Sequence, residues 1–293
     1  MPLMILSKRN FLFHWPIDRS LTYMLGLLAA IAAFVVVLIL CFLWREALPV
    51  LTDGGWRSFV SDKGWYPLEQ RYGIWPMVWA SLAATLGAIM LAAPLGIACA
   101  IYERFFAAKI LVKPFRTLLA LLAGIPSVVY GLWGLTVLVP IIAQWQPPGA
   151  SLLAGICILA LMILPTVAIT CSSALAAVPH HLVQGASALG LSQRAIITGV
   201  VIPAARGGLA GGVLLAIARA LGETMAVLMV AGNVVQTPHG VFDSVRVLTA
   251  NIALEMAYAT DLHRASLFAT GLLLTATVLL LAWFAHRIQQ KTI

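Results

Sequence analysis

The chain has 293 residues, 62% of them hydrophobic and only 10% charged, with a mean hydropathy of +1.00. Soluble domains carry about 25% charged residues, so the composition excludes a water-soluble globular protein and fits an integral membrane protein. The formal charge of +8 comes from basic residues scattered between apolar runs. With no basic stripe and no interleaved aromatics, it points to membrane topology and away from nucleic acid.

Six apolar stretches approach or exceed the ~20 residues a helix needs to cross a hydrocarbon core. They lie near 21–44, 75–102, 117–144, 151–175, 207–232 and 265–285. The expected class is therefore an all-α integral membrane protein with six transmembrane helices. It has one membrane domain (21–286), an N-terminal segment (1–20) and a short tail (287–293). The first stretch is longer than the ~7–15-residue core of a secretory signal, and no small-residue cleavage site closes it. It is expected to stay as a span.

Basic residues set the orientation. Eleven of them (Lys8, Arg9, Arg19, Arg104, Lys109, Lys113, Arg116, Arg194, Arg206, Arg287 and Lys291) fall on one side with two acids, Asp18 and Glu103. Six (Arg45, Arg57, Lys63, Arg71, Arg246 and Arg264) fall on the other with seven acids. Both termini are thus expected in the cytoplasm. The outer connection before span 2 holds Trp56, Trp65, Tyr66, Tyr72 and Trp75, expected at headgroup level or on a docking surface for an external partner. The loop 233–264 is a second candidate surface.

Several spans carry helix breakers. Gly124 and Pro126 predict a kink or break in span 3, and Pro94 and Pro165 interrupt spans 2 and 4. Irregular backbone at depth survives only inside protein or along a cavity, which favours a transport pathway over a simple anchor. Span 5 opens with "RGGLAGG", in which Gly207 with Gly211 and Gly208 with Gly212 form two overlapping GxxxG pairs for close helix packing. Cys41, Cys99, Cys157 and Cys171 all lie in apolar segments, away from metal-ligand spacing, and read as small core residues. No metal site is expected.

Residues 216–233 read "AIARALGETMAVLMVAGN", with Arg219 and Glu223 inside an apolar run. On a continuous helix they share one face, ~6 Å apart along the axis. An arginine at the centre of a span costs ~2.5–3.5 kcal/mol on insertion scales. A buried ion pair is a poor stabiliser compared with apolar residues. The expected role is a polar station on a solute pathway, because the guanidinium fork matches an oxyanion such as phosphate. Glu223 is expected to hold Arg219 when the pathway is empty.

The connection 178–206 reads "VPHHLVQGASALGLSQRAIITGVVIPAAR". Helix-compatible residues run from His180 to Leu189, Gly190 breaks them, and Ser192 can cap a second short helix. Gln184, Gly185, Ala186, Gly190, Val200, Ile202 and Pro203 occupy the positions of the motif E-A-A-x3-G-x9-I-x-L-P, which marks the permeases of type I ATP-binding-cassette (ABC) importers. Gln184 replaces the usual Glu, Gly185 the Ala, Val200 the Ile and Ile202 the Leu, while the Gly190–Pro203 spacing is intact. "GIPSVVYGLWGL" (124–135) and "ARALGETMAVLMVAGN" (218–233) narrow the similarity: the chain resembles phosphate permeases of the PstC type.

That resemblance implies a MetI-like permease fold with a cytoplasmic coupling helix, in the inner membrane of a bacterium. It implies a heterodimer with a PstA-type permease, two cytoplasmic ATPase subunits that use ATP and Mg, and an external phosphate-binding protein. It also places Arg219 and Glu223 on the phosphate pathway and puts ATPase coupling at the loop motif. The chain itself has no G-x-x-x-x-G-K-[ST] loop and no catalytic constellation, so no cofactor of its own and no enzymatic activity are expected. Two rivals remain open at this point: a permease for another oxyanion, sulfate or molybdate, and a stand-alone carrier in which Glu223 relays protons.

Overall fold

In lipid every backbone polar group needs an internal partner, so the apolar runs become helices. The computed structural model describes residues 16–52, 59–60 and 64–290. Lys8, Arg9, Asp53, Trp56, Arg57, Asp62, Lys63 and Lys291 lie outside the described residues. The chain falls into two units, 1–45 and 46–293.

Within the first unit runs most of α1, Pro16–Thr52. At ~1.5 Å per residue it is about 55 Å long, well beyond the expected 21–44. No side chain from Ser20 to Arg45 is buried.

The second unit takes in the end of α1 from Glu46 and then forms a small hairpin. Strands β1 (Trp65–Tyr66) and β2 (Arg71–Tyr72) pair antiparallel, Trp65 opposite Tyr72, around a tight helical turn at Pro67–Glu69. Helix α2, Trp75–Ile101, follows. Ala80, Ala84, Ala88, Ala92, Gly96 and Ala100 recur every four residues and are all buried. This flat face lets α2 press against α6 (Leu152–Ala176): a Cβ at Gly96 would stand 2.7 Å from Val167 Cβ. Close approach of small residues is the main source of helix adhesion in a bilayer.

After a wide π turn at Tyr102–Phe106, α3 spans Lys109–Gly124. Then Ile125 and Pro126 are extended, and α4 (Ser127–Trp133) restarts the helix. The predicted kink is a full break: α3 and the segment Ser127–Ala143 meet at 89°. Pro126 forces its predecessor out of the helical region. The Tyr130 hydroxyl donates to the Leu122 carbonyl at 2.8 Å, satisfying one acceptor orphaned at the end of α3. A second π turn (Gly134–Leu138) leads into α5, Val139–Ala143.

The remaining elements are α7 (His180–Ala188), α8 (Gln193–Ile196), a π turn at Ile197–Val201, α9 (Ile202–Leu221), α10 (Met225–Val230), α11 (Leu248–Glu255) and α12 (Asp261–Gln290). Among the described residues five helices are long and apolar enough to cross a membrane, and counting the bent pair as one span gives six. The architecture is the expected all-α, multi-span one, with span 5 displaced at both of its ends. The helix of span 5 runs unbroken from Gln193 to Leu221, so Val200, Ile202 and Pro203 belong to the span and not to a loop ending at 206. The π turn widens the backbone where the Pro203 ring and its missing N–H would otherwise break it. The far end of that span stops at Leu221 instead of continuing to 232.

Candidate functional site

Three contacts set the register between α9 and α6. A Cβ at Gly208 would meet Ala174 Cβ at 2.6 Å, and one at Gly212 would meet Thr170 Oγ1 at 2.6 Å. One turn further, Arg219 donates to Thr166 Oγ1 at 3.4 Å. Thr166 stands ~21 Å along α6 from Leu152 and ~15 Å from Ala176 at 1.5 Å per residue. Arg219 is therefore an exposed cation well inside the apolar thickness. Such a residue faces a bundle interior or a water-filled cavity.

The glycine pairs divide their work within the chain. Gly208 and Gly212 face α6, whereas Gly211 lines a cleft with Leu281 and Ala282 of α12, and Gly207 is buried.

Arg219 and Glu223 do not share a helix. Gly222 ends α9, and Glu223 sits half-buried in the gap before α10, its Oε1 accepting the Ala226 N–H at 3.1 Å. The carboxylate thus takes up one donor that the start of α10 leaves free. Among the described residues no ion pair joins Arg219 to Glu223. The expected holding pair is absent because the break at Gly222 interrupts the i,i+4 geometry.

Hydroxyl groups that the sequence reading passed over surround this break. The Thr249 hydroxyl donates to the Glu223 carbonyl at 2.7 Å, and Ser81 Oγ accepts the Leu248 N–H at 3.0 Å. Ser81, Thr85, Glu223 and Thr249 line a cavity of about 10 Å³, room for about one water molecule. Ser81 and Thr85, four apart in an otherwise apolar helix, were a legible signal.

Beyond the break, residues far apart in sequence converge on Glu255. Its two oxygens accept from Trp65 Nε1 at 2.6 Å and Arg246 at 2.7 Å, and lie 2.8 Å from His263 Nε2. Arg246 also donates to the Asn233 carbonyl at 3.0 Å, tying α11 to the end of the broken span. Trp65 is buried within this cluster, so neither the headgroup nor the docking reading of that residue holds. Burial and the Glu255 carboxylate push the Tyr72 phenol up. A cleft of about 670 Å³ opens beside the cluster, lined by Gln70, Tyr72, Tyr258, Asp261 and His263.

At the opposite end, the 178–206 connection folds as two helices meeting at Gly190, whose φ of 75° favours glycine. Gln184 and Gly185 are exposed on α7, while Ala186 is buried beneath them. Ser192 Oγ caps α8 through the Ala195 N–H at 3.3 Å. Leu182, Leu189 and Leu191 are exposed, giving the knob an apolar tip. Val200 and Ile202 are half-buried and Pro203 is exposed. Among the described residues no group of His, Cys, Asp or Glu is placed to share a metal ion.

Comparison with known proteins agrees with this arrangement. The family described as "Binding-protein-dependent transport system inner membrane component" matches residues 92–293. The probable ABC transporter permease protein YqgH of Bacillus subtilis (strain 168) is 41% identical over 223 residues, 74% of this chain and 72% of that protein. The phosphate transport system permease protein PstC of Mesorhizobium japonicum is 35% identical over 289 residues, 87% of this chain and 88% of that one. Among solved structures, the inward-facing MetNI methionine ABC transporter superposes with a TM-score of 0.57 at 19% identity, covering 75% of this chain and 94% of that chain. With its apolar spans, its broken span 5 and its two-helix knob, the chain belongs to the family of binding-protein-dependent transport system inner membrane components.

Proposed function

We propose that the chain is the membrane-spanning permease subunit of an ATP-driven inorganic phosphate importer. The observation that carries this is a lone exposed arginine inside the membrane thickness, in a chain similar to PstC permeases along 87% of its length. A guanidinium with no ion-pair partner among the described residues offers its fork to a tetrahedral oxyanion. Glu223, engaged with the start of α10, holds the break open beside it.

In this reading an external phosphate-binding protein docks on the outer face and delivers the anion toward Arg219. A PstA-type permease completes the pathway as a heterodimer, and two cytoplasmic ATPase subunits seat on α7. Their closure on ATP and Mg moves the rigid helix Gln193–Leu221 as one lever, because α8 and α9 are continuous through the π turn. The chain binds no cofactor and catalyses no covalent step. The knob faces the cytoplasm, as both termini do, in the plasma membrane of a bacterium.

The test is radiolabelled phosphate uptake in cells lacking other phosphate importers, with all partner subunits supplied. Uptake that sulfate and molybdate fail to compete, lost in Arg219→Ala at equal membrane abundance, supports substrate and site together. Competition by sulfate or molybdate transfers the reading to that oxyanion. Uptake without any co-purifying ATPase would refute the importer and favour a stand-alone carrier.

A further inference from the structure

Helix α3 has three distinct faces. Lys109, Lys113 and Arg116 fall at i, i+4 and i+7, on one stripe. Ile110, Leu111, Leu118 and Leu121 occupy the neighbouring arc, all exposed. Leu119 is buried on the third side, where it lines a cavity shared with Ile169 and Ser172 of α6. Rotation about the helix axis is pinned by Arg116, whose Nε bonds the buried Glu103 carboxylate. Lys109 and Lys113 have no ion-pair partner among the described residues. Arg104, in the π turn before α3, is also exposed.

The 89° break bears on where this helix lies. The segment Ser127–Ala143 runs ~25 Å at 1.5 Å per residue, near the lower limit for crossing alone. With that segment upright, α3 lies roughly in the membrane plane. The exposed Tyr102 ring packs edge-on against Phe115 of α3 at 6.2 Å, and tyrosine favours the headgroup boundary. The Gln193 side chain donates to the Phe105 carbonyl at 2.7 Å, so this corner is on the same side as the coupling knob. Basic, apolar and protein-facing arcs on one helix at that depth are the pattern of an interfacial helix.

We propose that α3 lies along the boundary of the coupling-side leaflet and that Lys109 and Lys113 bind the phosphate groups of anionic phospholipids. The exposed leucines and Ile110 enter the acyl region, while the Glu103–Arg116 pair keeps the lysines turned outward. Lipid bound there braces the right-angle break that leads into the pathway.

The test uses the assembled complex in bilayers of phosphatidylcholine with or without phosphatidylglycerol, followed by native mass spectrometry of retained lipid. This readout does not depend on which solute is carried. The wild type is expected to retain phosphatidylglycerol selectively. Lys109→Gln with Lys113→Gln is expected to weaken retention about 30-fold, equivalent to ~1 kcal/mol for each lysine, and Lys→Arg at both positions to restore it. Equal retention by the wild type and the glutamine variant would overturn the proposal. So would efficient cross-linking of Leu121→Cys to another subunit, since protein and not lipid would then cover the apolar arc.

Discussion

Replacing Arg219 by lysine separates charge from geometry. Among the described residues the guanidinium has one hydrogen bond, at the long distance of 3.4 Å to Thr166, and its side chain is exposed. The substitution should therefore leave membrane abundance and subunit co-purification unchanged. What it removes is the second, parallel donor of the fork. One charge-assisted hydrogen bond contributes ~1.5–3 kcal/mol, which corresponds to about 10–150-fold in affinity. In uptake assays with the complete complex, the KM for phosphate should rise by that factor. A wild-type KM in Arg219→Lys would refute bidentate recognition. A collapse in abundance would show instead that Arg219 is structural, against the exposure seen here.

Three further outcomes follow from other parts of the fold. Glu255→Ala leaves Arg246 mostly buried without its carboxylate; losing one partner of such a pair costs ~3–5 kcal/mol, so thermal unfolding of the purified complex should move clearly lower, and an unchanged midpoint would show the cluster to be incidental. Gly212→Val forces carbon into Thr170, whereas a Cβ at Gly124 meets nothing within 4 Å. Overpacking of ~1–3 kcal/mol is expected for the first, and Gly124→Ala should be neutral or slightly stabilising, as read from yield and melting. The Asp243 carboxyl is held below the usual carboxylate range by hydrogen bonds from the Gly240 and His239 backbones. A depressed folded value stabilises the 239–243 turn above the unfolded carboxylate pKa and is lost as pH falls through the folded one. Protection factors of the His239 and Gly240 amides, taken relative to the intrinsic rate at each pH, should fall as the carboxyl protonates, and Asp243→Asn should abolish that dependence.

Much of the site was legible because its signals are local. Pro126 beside Gly124 marked the break in span 3, and only its angle was left open. Gly190 marked the corner of the knob, since a left-handed residue is required wherever two short helices turn so sharply. The break at Gly222 was missed: "RALGETMAVLM" contains no proline, and its glycine is a mild breaker in an apolar run. That single oversight turned two residues on separate segments into a supposed ion pair. The reading of Trp65 failed for a different reason. An aromatic near a span end usually sits at headgroup level, and nothing local announces a buried carboxylate 190 residues away.

Composition and hydropathy alone determine that this is a multi-span membrane protein, because lipid demands long apolar helices whatever their neighbours are. Basic residues and turn formers add the expected orientation and the coupling motif, again through short-range chemistry. Which helix touches which was decided only in three dimensions. When every face of a span is apolar, hydropathy carries no information about neighbours. The choice falls to small residues that permit close approach, such as the Ala80-to-Ala100 series against α6 and Gly208 and Gly212 against the same helix. That packing settles the register of α9. It thereby leaves Arg219 exposed beside Thr166, with Glu223 occupied by the next helix and no longer its partner.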